Sequence, residues 1–196
     1  MLYMIAMKRR LKLALSRRQK QHIVDTGRVP AAVLLPIYRK QGEYYLVFTK
    51  RTEQMKAHKG QISFPGGAYQ AGDGTLLDTA LRECAEEIGL VADKVEILGS
   101  LDDVITLTSN FIIAPFVAVI PWPCEFKVST KEIEEIIEAP ISALLDRSCF
   151  HEKTEIINGE SVASYSYHYQ GRVVWGATAI ILNQFLDIFA RVMEDS

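Results

Sequence analysis

The segment from Thr75 to Gly89 constrains the fold of this chain more than any other feature. Thr75 suits a helix N-cap, with an acidic residue three positions later, and Gly89 supplies a C-terminal stop. Between them, apolar side chains recur at helical spacing at Leu77, Ala80, Leu81, Cys84 and Ile88. A turn of about 100° per residue places Glu83, Glu86 and Glu87 on the arc opposite that apolar stripe. The segment therefore predicts an amphipathic helix that carries three carboxylates on one face.

These carboxylates need compensation for their mutual repulsion. Glu83 and Glu87 stand one helical turn apart, and like charges at that spacing repel by roughly a few tenths of a kcal/mol in an isolated helix. Hard oxygen ligands of this kind suit Mg²⁺ or Mn²⁺, whereas the simpler alternative is an acidic face turned to solvent. Two neighbours favour the cation: Gly66-Gly67 lets the backbone approach the helix, and Arg82 can orient one carboxylate through two hydrogen bonds.

The rest of the chain predicts a mixed β-sheet flanked by helices. Short β-branched and aromatic runs predict strands at residues 29–36, 44–49, 61–64, 95–98 and 111–120. A turn at Asn158-Gly159 would join two polar strands, and residues 176–193 form a last amphipathic helix. Residues 131–138 fit a strand or a helix, and residues 140–145 fit a short helical turn. Alternation of strands and helices without a strict repeat favours one domain of the α/β (α+β) class.

Composition excludes several classes of protein. The 22 basic and 24 acidic side chains give a net charge of -2, so nothing argues for a nucleic-acid carrier. The three cysteines lack metal-ligand spacing and fit reduced thiols, with Cys84 in the core. We find no secretory signal, spanning segment or peroxisomal address in the sequence, and we expect a cytoplasmic protein without a membrane partner.

The run from Arg82 to Leu90 resembles the second half of the Nudix hydrolase signature, Arg-Glu, aliphatic, any, Glu-Glu, any, Gly, aliphatic, with Cys84 at the first aliphatic place. The first half departs from that signature. Counted from Gly67, its Glu place falls on Asp73, and eight residues rather than seven separate Asp73 from Arg82. The resemblance implies the Nudix fold, an alpha-beta-alpha sandwich with a mixed sheet, and an enzyme that hydrolyses a phosphate-phosphate bond. It divides the chain into a basic amphipathic helical segment over residues 1–25, for which a solvated helix is preferred to a membrane contact, and a Nudix domain over residues 26–196.

The same resemblance implies that Mg²⁺ or Mn²⁺ is held by Glu83, Glu86 and Glu87. Metal ions neutralise the negative diphosphate oxygens and lower the pKa of a bound water, whose proton a nearby carboxylate can take. Candidate catalytic residues are Glu83, Glu86, Arg82 and Glu132, and the glutamate that acts as general base is left open. Glu132 is the candidate for an acid outside the helix, and its rivals are Glu134, Glu135 and Glu138.

The longer loop and its surroundings resemble the coenzyme A diphosphatase branch of the family. The matching runs are 48–52, 59–67, 79–83 and 174–179, although Gln70 replaces a residue that is usually acidic in that branch. The branch implies hydrolysis of coenzyme A or acyl-CoA to 3',5'-ADP and 4'-phosphopantetheine or its acyl form. Candidate substrate-binding residues are Arg51, Lys59, Gly66 and Gly67. Arg51 is preferred within a basic cluster that also holds Lys50, Lys56, His58 and Lys59, for which ordinary solvated charge is the alternative.

Two other functions stay open at this point. The first keeps the chemistry but acts on ADP-ribose, a dinucleotide or a nucleoside triphosphate. The second is a Nudix-like binding or regulatory module without turnover, although such a module usually loses the glutamates that this chain retains. The expected partner is a small nucleotide diphosphate, and the sequence leaves the oligomeric state undefined, with a homodimer as one option. His22, His151 and His168 show no spacing that suggests a metal or a nucleophile.

Overall fold

A computed structural model describes residues 2–25, 27–54, 58–157 and 160–194. The helices within these ranges are α1 (Leu2–Arg17), α2 (Leu76–Ile88), α3 (Ile141–Leu144) and α4 (Gly176–Glu194), with a short 3₁₀ helix at Ala92–Lys94. The strands are β1 (Val29–Lys40), β2 (Glu43–Arg51), β3 (Ile62–Ser63), β4 (Gly66–Ala68), β5 (Glu96–Ser100), β6 (Val104–Ile105), β7 (Phe111–Val119), β8 (Ile133–Pro140), β9 (Phe150–Ile157), β10 (Glu160–Tyr169) and β11 (Arg172–Trp175).

Two sheets organise the chain. The larger sheet runs β3-β2-β1-β7-β5, and β4, β6 and β8 pair with β1, β7 and β2 respectively. Strands β1 and β7 are parallel, whereas the other pairs are antiparallel, so the predicted mixed sheet is confirmed. A separate antiparallel sheet holds β9, β10 and β11.

Strand β1 is covered on both faces. Val33, Leu35 and Ile37 belong to one hydrophobic cluster with α1 and α4, whereas Leu34 and Tyr38 belong to a second cluster with α2. A strand buried on both faces has a continuous apolar run in its sequence, as β1 does from residue 31 to residue 38. The sheet therefore lies between α2 on one side and α1 with α4 on the other.

Helix α1 contributes to the core on the α4 face. Met7, Leu11 and Leu15 are buried there, at helical spacing, while Lys8 and Arg18 form ion pairs with Glu96 and Asp102. The segment is thus helical as expected, but the helix ends at Arg17, and its apolar face packs into the core of the domain instead of being solvated. The division of the chain at residue 25 stays a prediction.

Helix α4 has the length and hydropathy that a membrane span would need, a test that core helices also pass. Several of its side chains, Leu182, Phe185 and Phe189 among them, are buried in the same cluster as α1. Packing against the core therefore accounts for the apolar character of α4.

The short elements were the hardest to predict. The ambiguous segment 131–138 is a turn at its first two residues and then forms β8, and the helical turn predicted at residues 140–145 contains α3. Strands β4, β6 and β11 were not predicted, because segments of two to four residues carry too little periodicity to show a strand pattern. The predicted turn at Asn158-Gly159 lies outside the described residues.

Candidate active site

Helix α2 is held at both ends as its sequence predicts. Thr75 Oγ1 accepts a hydrogen bond from the Asp78 backbone N–H at 3.2 Å, and Gly89, with φ of 70°, donates its N–H to Ala85 O at 3.1 Å. Cys84 and Ile88 are fully buried against the sheet, so Cys84 has the core position expected of it. This anchoring fixes the direction in which the glutamates of α2 project.

Glu87 is buried, which the helical periodicity did not predict. Its side chain lies under the glycine loop, where Oε2 accepts a hydrogen bond from Gly66 N at 3.1 Å and Oε1 lies 3.6 Å from Arg51 Nη1. Burial raises the pKa of Glu87 to about 7, and the charges of Glu83 and Glu132 add to this rise against the opposing effects of Gly66 and Arg51. Helical periodicity places Glu87 opposite the apolar stripe, and the glycine loop that packs over it there accounts for its burial.

Gly66 and Gly67 are required where the loop crosses α2. A Cβ atom on Gly66, whose φ is 153°, would lie 2.2 Å from Ala32 O. A Cβ atom on Gly67 would lie 2.5 Å from Glu83 Cδ, so the Glu83 carboxyl group packs directly against this glycine. Burial there raises the pKa of Glu83, although the adjacent Arg82 opposes the change. The loop and the carboxylate helix thus form one unit.

Arg82 joins the loop to the acids. Its Nε and Nη2 atoms donate to the two carboxylate oxygens of Asp73 at 2.8 Å and 3.0 Å, and Nη2 also donates to Ala68 O at 3.1 Å. Its Nη1 atom donates to Glu83 at 2.6 Å and reaches Glu86 at 3.4 Å. These hydrogen bonds hold the pKa of Asp73 well below its usual range and raise that of Arg82. Arg82 therefore contacts these three carboxylates, but its two-point hydrogen bond goes to Asp73 rather than to a glutamate of α2 as the sequence suggested.

Asp73 and Thr79 have a role that the sequence analysis missed. Thr79 is fully buried, and its hydroxyl donates to Asp73 Oδ2 at 2.8 Å, while the Gln70 backbone N–H donates to the same carboxylate oxygen at 3.0 Å. Asp73 thereby fastens the loop to α2. One feature of the sequence could have indicated this contact. Thr79 lies beside the apolar stripe of the helix, where an aliphatic residue would be expected.

Among the candidate acids outside the helix, Glu132 is the one whose charge acts on the glutamates of α2. The segment before it is tied to the end of the helix, because Lys127 N donates to Ile88 O and Ser129 N donates to Glu87 O, both at 2.9 Å. The Glu132 charge contributes to the raised pKa of both Glu83 and Glu87. Its three rivals are engaged elsewhere, since Glu134 pairs with Lys50, Glu135 pairs with Arg172 and Glu138 accepts a hydrogen bond from Tyr38.

The basic residues before the glycine loop are not equivalent. Arg51 lies beside Glu87, and its Nε atom is buried without a hydrogen-bond partner among the described residues. Lys59 is exposed, Lys50 is paired with Glu134, and Lys56 lies outside the described residues. The structure therefore brings Arg51, Gly66 and Gly67 together at the carboxylates and leaves Lys59 at the surface.

The donor chemistry of this site fits a hard divalent cation. Glu83 and Glu86 already converge on one positive group, the Nη1 atom of Arg82, and the buried like charges of Glu83 and Glu87 would be relieved by a cation. Across the part of the chain that the structure describes, no group of three or more His, Cys, Asp or Glu side chains is arranged to hold a metal. Joint use of all three glutamates therefore requires side-chain positions other than those that the structure shows.

Comparison with known proteins agrees with this arrangement. The NUDIX domain family model matches residues 27–147. Two similar proteins are each described as the uncharacterized Nudix hydrolase NudL. The one from Photorhabdus laumondii is 34% identical over 154 residues, which cover 79% of this chain and 81% of that protein. The one from Enterobacter sp. (strain 638) is 36% identical over 158 residues, which cover 81% of each.

A solved structure supports the fold alone. The MutT/nudix family protein from Enterococcus faecalis superposes with a TM-score of 0.56 at 14% identity, covering 93% of this chain and 68% of that one. The layered arrangement of mixed sheet and helices is the Nudix fold. Together with the carboxylate helix and its glycine loop, these matches show that the chain belongs to the Nudix family and is a hydrolase that acts on pyrophosphate bonds.

Proposed function

We propose that this Nudix hydrolase cleaves the diphosphate bond of coenzyme A or an acyl-CoA, giving 3',5'-ADP and 4'-phosphopantetheine or its acyl form. The observation that carries the proposal is the position of Arg51. This residue stands in the segment that resembles the coenzyme A diphosphatase branch. Its Nη1 atom lies 3.6 Å from Glu87 Oε1, and its buried Nε atom has no hydrogen-bond partner among the residues described. The Arg51 side chain is 22% exposed, and a guanidinium group at the solvent boundary can bind a phosphate oxygen through donors other than the buried Nε.

The residues around Arg51 supply the other requirements of a diphosphate site. Nudix hydrolases generally use divalent metal ions, and we assign the Mg²⁺ or Mn²⁺ ligands to Glu83, Glu86 and Glu87. When bound, such an ion would offset the diphosphate charge and make a water molecule more acidic. Gly66 and Gly67 let the loop pack closely against β1 and the Glu83 carboxyl group, and Lys59 adds positive charge at the surface.

Proton transfer falls to a carboxylate near the attacking water. We assign this role to Glu132, because its charge acts on Glu83 and Glu87 while its rivals bind other side chains. Arg82 holds Glu83 and Glu86 in position through its contacts with both. Retention of these groups favours an enzyme over a binding module without turnover.

A direct comparison of substrates tests the proposal. The purified protein is incubated with Mg²⁺ or Mn²⁺ and, in parallel, coenzyme A, acetyl-CoA, ADP-ribose, a diadenosine polyphosphate and a nucleoside triphosphate. Mass spectrometry should detect 3',5'-ADP and 4'-phosphopantetheine in equal amounts, with coenzyme A or acetyl-CoA as the best substrate. Intact coenzyme A alongside cleavage of another diphosphate would overturn the substrate assignment and leave the hydrolase chemistry in place.

A further inference from the structure

A cavity of about 470 Å³ lies away from the carboxylate helix. Its walls come from α1, the β1–β2 turn, the start of β5 with the preceding 3₁₀ helix, and the segment that follows β7. Gly66 pairs with Val33 on β1, whereas the cavity meets β1 at Arg39, about 20 Å farther along the strand at 3.3 Å per residue. This volume falls within the range of pockets that hold small organic ligands. The cavity is therefore a separate site.

Positive charge predominates at this cavity. Lys8, Arg39 and Lys94 line it from three different elements, whereas Glu96, which pairs with Lys8, is the carboxylate among its lining residues. No ion pair joins Lys94 to any acidic side chain in the described ranges. The lining thus has two more cations than anions. A phosphate monoester, which carries a charge of about -1.5 to -2 at pH 7, matches that excess.

An aromatic and aliphatic wall completes the cavity. Trp122 stacks on Tyr38 with ring centroids 4.4 Å apart, and Tyr38 stacks on Tyr45 at 5.3 Å, so the indole is held in place from behind. Lys40 Nζ lies 4.9 Å from the Trp122 ring centroid and adds a further cation at the edge. Met4 and Ile120 extend the apolar surface. A ligand with an organic group attached to its phosphate would therefore contact both parts of the cavity.

We propose that this cavity binds an organic phosphate monoester of nucleotide size, at a site distinct from the one that carries out hydrolysis. The inference rests on the volume of the cavity, its excess of cations and its aromatic wall. It does not depend on coenzyme A being the substrate. Cleavage of any pyrophosphate bond between two organic groups releases two phosphate monoesters, so the products of such a reaction belong to the class that this site would take.

Trp122 provides a local probe for the test. The chain has two tryptophans, and the Trp175→Phe variant, at a half-exposed position on β11, leaves Trp122 as the only indole fluorophore. This variant is titrated with 5'-AMP in EDTA, and adenosine and inorganic phosphate are titrated separately. We expect a saturable fluorescence change with AMP, no saturable change with adenosine, and at least tenfold weaker binding of inorganic phosphate. An equal response to adenosine, or equal affinity for inorganic phosphate, would overturn the proposal.

Charge variants locate the bound phosphate. Lys94→Gln and Arg39→Gln, each made in the Trp175→Phe protein, should weaken AMP binding at least tenfold. Lys153→Gln, on the exposed strand β9, is the matched control and should leave the affinity unchanged. Circular dichroism and thermal unfolding establish that each variant is folded. Unchanged affinity in folded Lys94→Gln and Arg39→Gln proteins, or the absence of any saturable response, would contradict the assignment.

Discussion

The carboxylate of Glu87 accepts a hydrogen bond from the Gly66 backbone N–H at 3.1 Å, so the carboxylate helix and the glycine loop meet inside the protein. Gly66 in turn pairs with Val33 of the central strand β1. The sheet, the loop and the helix are therefore linked through one buried acidic side chain. The pH dependence of stability and the turnover of variants at Gly67, Arg82 and Glu132 depend on this link and on the hydrogen bonds around it.

The stability of the metal-free protein should fall between pH 5 and pH 8 because of Glu87. Burial raises its pKa to about 7 from an ordinary value of 4.5, so the folded state keeps a proton that the unfolded chain releases at lower pH. This contribution is fully present below about pH 4 and is lost as the pH rises through 7. The difference amounts to at most about 3 to 4 kcal/mol, at roughly 1.4 kcal/mol per pKa unit.

The Glu87→Gln variant removes this titration while its amide oxygen can still accept from Gly66. Urea unfolding in EDTA at pH 5, 6, 7 and 8 should show the variant gaining stability relative to the unmodified protein as the pH rises. Glu152→Gln, at an exposed position on β9, controls for the loss of one negative charge. Parallel pH profiles for Glu87→Gln and the unmodified protein would refute the role given to Glu87.

Gly67→Ala should impair turnover more than it impairs folding. The new Cβ atom would lie 2.5 Å from Glu83 Cδ, and the Glu83 side chain can rotate away from it. Displacement of a metal-site group or its support costs about 10- to 100-fold in activity. Gly72→Ala is the matched control, because nothing lies within 4 Å of a Cβ atom at that position. Steady-state rates and melting temperatures are compared, and equal rates for the two variants would count against the contact.

Arg82→Lys should lower both activity and thermal stability. Lysine keeps the charge but cannot bind both Asp73 oxygens while it also reaches Glu83 and Glu86. We expect kcat to drop by about tenfold or more, the lower end for a supporting group at a metal site. Arg191→Lys, at an exposed position on α4, makes the same chemical change away from the site and should have little effect. A variant at Arg82 with unaltered kcat would exclude a positioning role.

Glu132→Gln tests the proposed proton acceptor. Loss of a general base lowers turnover by about 10²- to 10⁴-fold, and partial recovery at high pH is expected as hydroxide replaces the missing group. Glu134→Gln is the matched control on β8, because Glu134 pairs with Lys50 at the surface. The two variants are compared by kcat over a range of pH. If Glu134→Gln proves as defective as Glu132→Gln, the assignment of the base is wrong.

The sequence predicted those parts of the site that depend on local chemistry. The cap at Thr75, the stop at Gly89 and the buried position of Cys84 all follow from spacing within one helix, and the structure confirms them. The burial of Glu87 depends on the pairing of β4 with β1, residues far apart in the chain. Helical periodicity contains no information about that pairing. It therefore placed Glu87 opposite the apolar stripe without indicating that the side chain is buried.

Other unpredicted features share this origin. The position of Glu132 depends on hydrogen bonds from the segment before it to the end of α2, and the fastening of the loop depends on Asp73 meeting Arg82 and Thr79. Helices α1 and α4, which are far apart in the sequence, pack in the same hydrophobic cluster. Each is a contact between distant segments, which the amino-acid pattern within a single segment does not specify.

The most direct test of the central claim is the rate of coenzyme A hydrolysis by the Glu83→Gln and Glu87→Gln variants at saturating Mg²⁺ or Mn²⁺. Both variants should fold, as judged by circular dichroism. Each should turn over at least about 100-fold more slowly than the unmodified protein, the loss expected when a group that stabilises transition-state charge is removed. Full activity in either folded variant would contradict the assignment of these carboxylates to the metal site of a coenzyme A diphosphatase.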